Sequence, residues 1–109
     1  MSKEIMALVY LFGFEVKISD TDITGTTLNI DLKEEFMEEL SNYPIELSKK
    51  IVDSLYAVCR QDIEGIIKTY KGERINSELI LQMQKDLDNV ARLYRYKFRN
   101  IVLKIFYIK

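Results

Sequence analysis

Leu47, Ile51, Leu55, Val58, Cys59, Ile63, Ile66, Ile67 and Tyr70 recur at three- and four-residue steps. That spacing spells an amphipathic helix of about six turns, apolar along its whole length on one side. Such a helix is stable only when other elements cover its stripe. Pro44 suits its first turn, and Lys71-Gly72 supplies a stop with glycine available for a left-handed cap. Leu79, Ile80, Met83, Leu87, Val90 and Tyr94 then form the stripe of a second long helix, with Asn76 or Ser77 as its cap and Glu78 in its first turn.

The residues before Pro44 follow a different period. Phe14, Val16 and Ile18 alternate with Glu15, Lys17 and Ser19, and Leu28, Ile30 and Leu32 alternate with Asn29 and Asp31. Two such runs around the turn-forming cluster Ser19 to Gly25 predict a β-hairpin. Ile5 to Phe14 is almost wholly apolar and is expected as a buried strand, with Gly13 at a bulge or bend. Leu32, Phe36, Met37 and Leu40 fit a short helix, with Asp31 as N-cap and Glu34 and Glu35 in its first turn; Tyr43-Pro44 ends it. Asn100 to Ile108 is rich in β-branched and aromatic residues and reads as a strand. Tyr94 to Arg99 fits either a helix end or a strand start. The expected architecture is one α+β domain over residues 1–109. A small antiparallel sheet, made of the N-terminal hairpin (1–32) and a C-terminal strand (99–108), packs on two long helices and one short one (33–97). The row Ile101, Leu103 and Ile105 is expected to return to the hairpin.

The chain has 109 residues, 48% of them hydrophobic and 30% charged, enough to bury a core without staples. It has no histidine and one cysteine, which removes His-based triads, His/Cys zinc sites, iron–sulfur ligation and a disulfide framework. Four glycines form no phosphate-binding spacing. No run reaches the ~18 apolar residues of a membrane span. Ile5 to Phe14 superficially resembles a signal-peptide core, but Glu4 spoils the basic flank and no cleavage site follows. A reducing, cytoplasmic setting is therefore expected. Fourteen isoleucines and eleven lysines against three alanines is the skew of AT-rich coding, common in small phage genomes, so host cytoplasm or virion is the expected location.

Charge is divided along the chain. Met1 to Pro44 carries three basic and nine acidic residues, a net of −6; Asn89 to Lys109 carries six basic residues and no acid. Such asymmetry marks an interaction surface, or two ends that are neighbours in the fold. Glu34, Glu35, Glu38 and Glu39 form an acidic face for a basic partner, or a solvated helix side. Arg92, Tyr94, Arg95, Tyr96, Lys97 and Arg99 interleave cations with aromatic rings, a pattern that can neutralise phosphates and stack bases or take a protein partner. An isoelectric point near 5.5 argues against a basic nucleic-acid-binding domain.

Catalytic groups are scarce. Cys59 sits on the apolar side of its helix with no histidine to deprotonate it, as a structural cysteine does. Asp20 and Asp22, with Asp31 as a third oxygen donor, make a short and common pattern that falls short of a cation site. No metal, cofactor or enzyme activity is expected. The sequence supports a non-enzymatic interaction or assembly subunit, of the kind of a small virion-type structural or accessory protein, whose partner is a protein and can be a second copy joined head to tail through the charge split. The alternative is a nucleic-acid-binding module using the basic aromatic segment.

Overall fold

The computed structural model describes residues 3–20 and 26–107. The element order is α1 (Lys3–Leu11), β1 (Phe14–Asp20), β2 (Thr26–Leu32), α2 (Glu34–Leu40), α3 (Ile45–Tyr70) and α4 (Ser77–Tyr107). The fold is α+β, with one two-stranded antiparallel sheet against two long and two short helices. Its principal extents are 48 × 27 × 20 Å, and α4 alone, at about 1.5 Å per residue, spans most of the long axis.

α3 and α4 are antiparallel neighbours, turned by the segment 71–76. Gly72 there has φ +83°, a left-handed conformation that side chains other than glycine's resist. Asn76 accepts a hydrogen bond from Leu79 N–H through its side-chain oxygen at 2.9 Å, capping α4. Two tyrosine–aspartate bridges fix the register of the pair: Tyr70 donates to Asp86 at 2.6 Å and Tyr94 donates to Asp62 at 2.5 Å. Ile51, Leu55, Cys59 and Ile63 of α3, with Met83, Leu87 and Val90 of α4, are buried, the stripes read from the sequence.

The hairpin pairs Phe14 with Leu32, Val16 with Ile30 and Ile18 with Leu28. These six residues share one face, and Phe14, Leu32, Val16, Leu28 and Ile30 belong to or pack on the core. The expected turn residues Thr21 to Gly25 lie outside the described residues. Lys33 N–H bonds Gly13 C=O at 3.0 Å, which carries the ladder one residue further. Lys33 then crosses Gly13 so closely that a Cβ there would lie 3.0 Å from its Cδ, and its amine ends 3.6 Å from Asp88 of α4. Gly13 is the joint between α1 and β1 rather than a bulge.

Two expected strands are helices. Ile5 to Leu11 belongs to α1, because Ile5, Leu8, Val9 and Phe12 sit at helical spacing and bury one side while Met6 and Tyr10 are exposed. An apolar exposed side had hidden the period. Residues 99–108 do not form a C-terminal strand; α4 runs through to Tyr107. No glycine or proline interrupts the sequence after Ser77, so extending the helix costs little once it is nucleated. Phe98 and Val102, one turn apart, are fully buried, and Phe106 stacks edge-on with Tyr43 at 5.2 Å. No third strand joins the hairpin among the described residues, and on β1 none could pair. Gln84 of α4 already occupies that edge: its side-chain oxygen accepts from Val16 N–H at 3.0 Å and its amide donates to Phe14 C=O at 2.8 Å. In addition, α2 ends at Leu40, three residues before Tyr43, and its N-cap position is Lys33 rather than Asp31.

Four phenylalanines join these elements. Phe98 lies 4.6 Å from Phe12 and 5.6 Å from Phe36, and Phe12 lies 5.6 Å from Phe14, centroid to centroid. α1, β1, α2 and α4 thus meet at one aromatic cluster, each pair contributing about 0.5–1.5 kcal/mol beyond its buried area.

Candidate interaction surface

The inner face of α4 is fixed by the core, so its chemistry is on the other side. Leu93, Tyr96, Asn100 and Tyr107 follow one another along the outer face, with the half-buried Leu103, which packs against the core, at its margin. Leu93 is 75%, Tyr96 70% and Tyr107 60% exposed. Arg92 and Arg99 lie seven residues apart along one flank of this row, and Lys97 and Lys104 along the other. Lys50 of α3 lines a shallow groove together with Lys104 and Ile105, which extends the positive side. Segment 89–109 contains no carboxylate side chain to neutralise these cations.

The predicted basic residues divide by role. Arg92, Tyr96 and Lys97 are exposed. Arg99 is half-buried and stands 5.9 Å over the Tyr96 ring, a cation–π contact that holds both in place. Arg92 donates to Asn89 of its own helix. Tyr94 instead faces α3, where its hydrogen bond to Asp62, then burial, push its phenol above the ordinary value of 10.0. Arg95 reaches back to Phe12 C=O at 3.1 Å, and its Nε is buried without a partner among the described residues. Tyr94 and Arg95 therefore hold the fold together, and four of the six predicted residues remain on the surface.

The acidic face is on α2. Glu34, Glu35 and Glu38 are exposed, and Glu39 is half-buried, accepting from Asn42 Nδ2 at 2.7 Å. Glu34 and Glu35 also occupy the first turn of a helix without a side-chain cap, where carboxylates are favourable by about 0.3–1 kcal/mol each. One member of each charged set comes together: Glu35 and Arg95 line the same cleft of about 410 Å³ with Tyr10, Phe12 and Lys33. Glu34, Glu38, Arg92, Lys97 and Arg99 do not line this cleft.

Other chemistry is thin among the described residues. Burial, then Asp62, pushes the Cys59 thiol up to about 11 against a smaller opposing effect of Lys97, which keeps it protonated at neutral pH. No group of three metal-ligating side chains is found among the described residues; Asp22 and the side chain of Asp20 lie outside them. No helix of the described residues is long and apolar enough to cross a membrane. No protein family, curated protein or solved structure matches this chain.

Sequence reasoning found the cations of α4 and missed its apolar row. Leu93 and Tyr107 carry no signal on their own. They become a row with Tyr96 only once α4 is known to be helical through residue 107.

Proposed function

We propose that this protein is a non-enzymatic interaction or assembly subunit, and that the outer face of the C-terminal half of α4 is its docking surface for an acidic protein partner. One observation carries the reading: a row of exposed large apolar side chains on α4, flanked on both sides by cations and free of carboxylates. Aromatic and leucine anchors surrounded by charge are the composition of a protein-docking face, in which the anchors supply binding energy and the rim supplies orientation. A small virion-type structural or accessory protein in a host cytoplasm is the biological setting that fits the residue usage.

A nucleic-acid module is the second reading, favoured by Tyr96 beside Arg92 and Arg99. Tyr94, the other ring of that pattern, is committed to Asp62, and Leu93 offers a phosphate or a base nothing. The test is fluorescence anisotropy at about 150 mM salt with three probes: a ~20-nucleotide single strand, a ~20-bp duplex, and an amphipathic helical peptide rich in Glu and Leu. The peptide is expected to bind and the oligonucleotides are not. Micromolar oligonucleotide binding that falls in Arg92→Gln/Arg99→Gln would transfer the function to nucleic acid.

A further inference from the structure

The two edges of the hairpin are treated differently. On β1 the outward N–H of Val16 and C=O of Phe14 are both taken by the Gln84 side chain. Because Lys33 N–H bonds Gly13 C=O across the pair, the odd-numbered residues of β1 and their partners on β2 face each other. In the antiparallel register the main-chain groups of Leu28 and Ile30 therefore point away from β1. Among the described residues nothing bonds them. β2 (TTLNIDL) contains no lysine, proline or bulge, and of the devices that keep an exposed edge from pairing it carries only the charge of Asp31, near its end.

A groove runs beside this edge. It measures about 600 Å³ and is lined by Leu28 to Asp31 of β2, by Ile63, Ile67 and Tyr70 of α3, by Lys71 just beyond α3, and by Met83 of α4. Ile67 is 50% exposed there. The two strands thus cover α4 and part of α3, and leave a strip of α3 bare beside the outer edge of β2 at Leu28 and Ile30. The shape that fits is a third strand, lying against β2 and turning its apolar side chains onto Ile63 and Ile67.

We propose that the occupant is the β2 edge of a second copy, giving an antiparallel four-stranded sheet β1-β2-β2-β1 about a two-fold axis. The strand that pairs with an antiparallel edge must present the same alternation of outward donors and acceptors, and β2 presents it. The contact is isologous, so it closes as a dimer instead of propagating. Each copy's bare strip of α3 meets its mate beneath the new seam, bringing Ile67 against Ile67. This dimer uses neither the α4 face nor the α2 carboxylates and does not rest on the function proposed above.

The test is sedimentation equilibrium of the full chain from about 5 to 500 μM, for the parent and two variants. Ile30→Pro removes an N–H that points away from β1, so the hairpin ladder keeps its bonds while the edge loses a donor. Ile67→Glu places like charges across the seam from an exposed helix position. The parent is expected to dimerise, and each folded variant to weaken the dimer at least about tenfold. If Ile30→Pro fails to melt cooperatively, Ile67→Glu decides alone. A parent that stays monomeric throughout, or a dimer unaffected by Ile67→Glu, overturns the proposal. So does a dimer lost only when Leu93, Tyr96 and Tyr107 are replaced, which would place self-association on α4.

Discussion

Tyr94 of α4 donates its hydroxyl hydrogen to Asp62 of α3 across 2.5 Å, and that contact separates the structural side of α4 from its surface side. Tyr70 and Asp86 repeat it eight residues away on each helix with the direction of donation reversed. In both tyrosines the aspartate hydrogen bond is the largest cause raising the phenol above 10.0. A raised folded-state value means that the folded chain holds these protons more tightly than the unfolded chain. Their contribution to stability is complete below the ordinary phenol value and is lost as pH rises through the folded one. Urea midpoints measured from about pH 8 to 11.5 should therefore decline above about pH 10. The decline should be shallower in Tyr70→Phe/Tyr94→Phe, and an identical alkaline limb would show that the bridges do not hold the helices in register.

Gln84 is expected to matter more than an ordinary half-buried polar residue, because its one amide serves two main-chain groups of β1. Gln84→Ala leaves Val16 N–H and Phe14 C=O without those partners, at a cost of about 1–3 kcal/mol. In a domain of this size that lowers Tm by several degrees. Gln84→Glu keeps an acceptor for Val16 and loses the donor to Phe14, so it should recover only part of the loss. Faster exchange of the Val16 amide in Gln84→Ala identifies the cause, and an unchanged rate would refute it.

These contacts explain which parts of the fold the sequence could reveal. The stripes of α3 and α4 and the hairpin alternation were legible, since each has a polar opposite side that makes the period visible. α1 was not, because Met6 and Tyr10 on its exposed side are as apolar as Leu8 and Val9 on its buried side. The C-terminal segment was misread through local preference: Ile101, Val102, Ile105 and Phe106 favour strands, and nothing nearby in sequence says that Phe98 and Val102, one helical turn apart, fill the core as a helix. The same error concealed the exposed row on α4: with residues 99–108 read as a strand, Tyr107 shares no helical face with Leu93 and Tyr96; with α4 helical to Tyr107 it does.

Two glycines give substitutions of opposite sign. Gly65 lies on the exposed side of α3 with nothing within 4 Å of an added Cβ, so Gly65→Ala should stabilise by about 0.5–1 kcal/mol. Gly72 has equal space but φ +83°, and Gly72→Ala should destabilise by about 1 kcal/mol. Chemical denaturation of both variants separates backbone conformation from crowding. Equal signs would mean that the α3–α4 turn does not hold its left-handed geometry in solution.

The most direct test of the proposed docking face compares the parent with Leu93→Ala/Tyr96→Ala/Tyr107→Ala in the titration with the acidic amphipathic peptide, with the melt of each as control. Surface substitutions of this kind change stability by about 0.5 kcal/mol or less each. The triple variant should therefore melt close to the parent and lose peptide binding. Unchanged peptide binding would contradict the assignment of α4's outer face as the docking surface. So would a collapse in stability like that of a core truncation, about 3–5 kcal/mol.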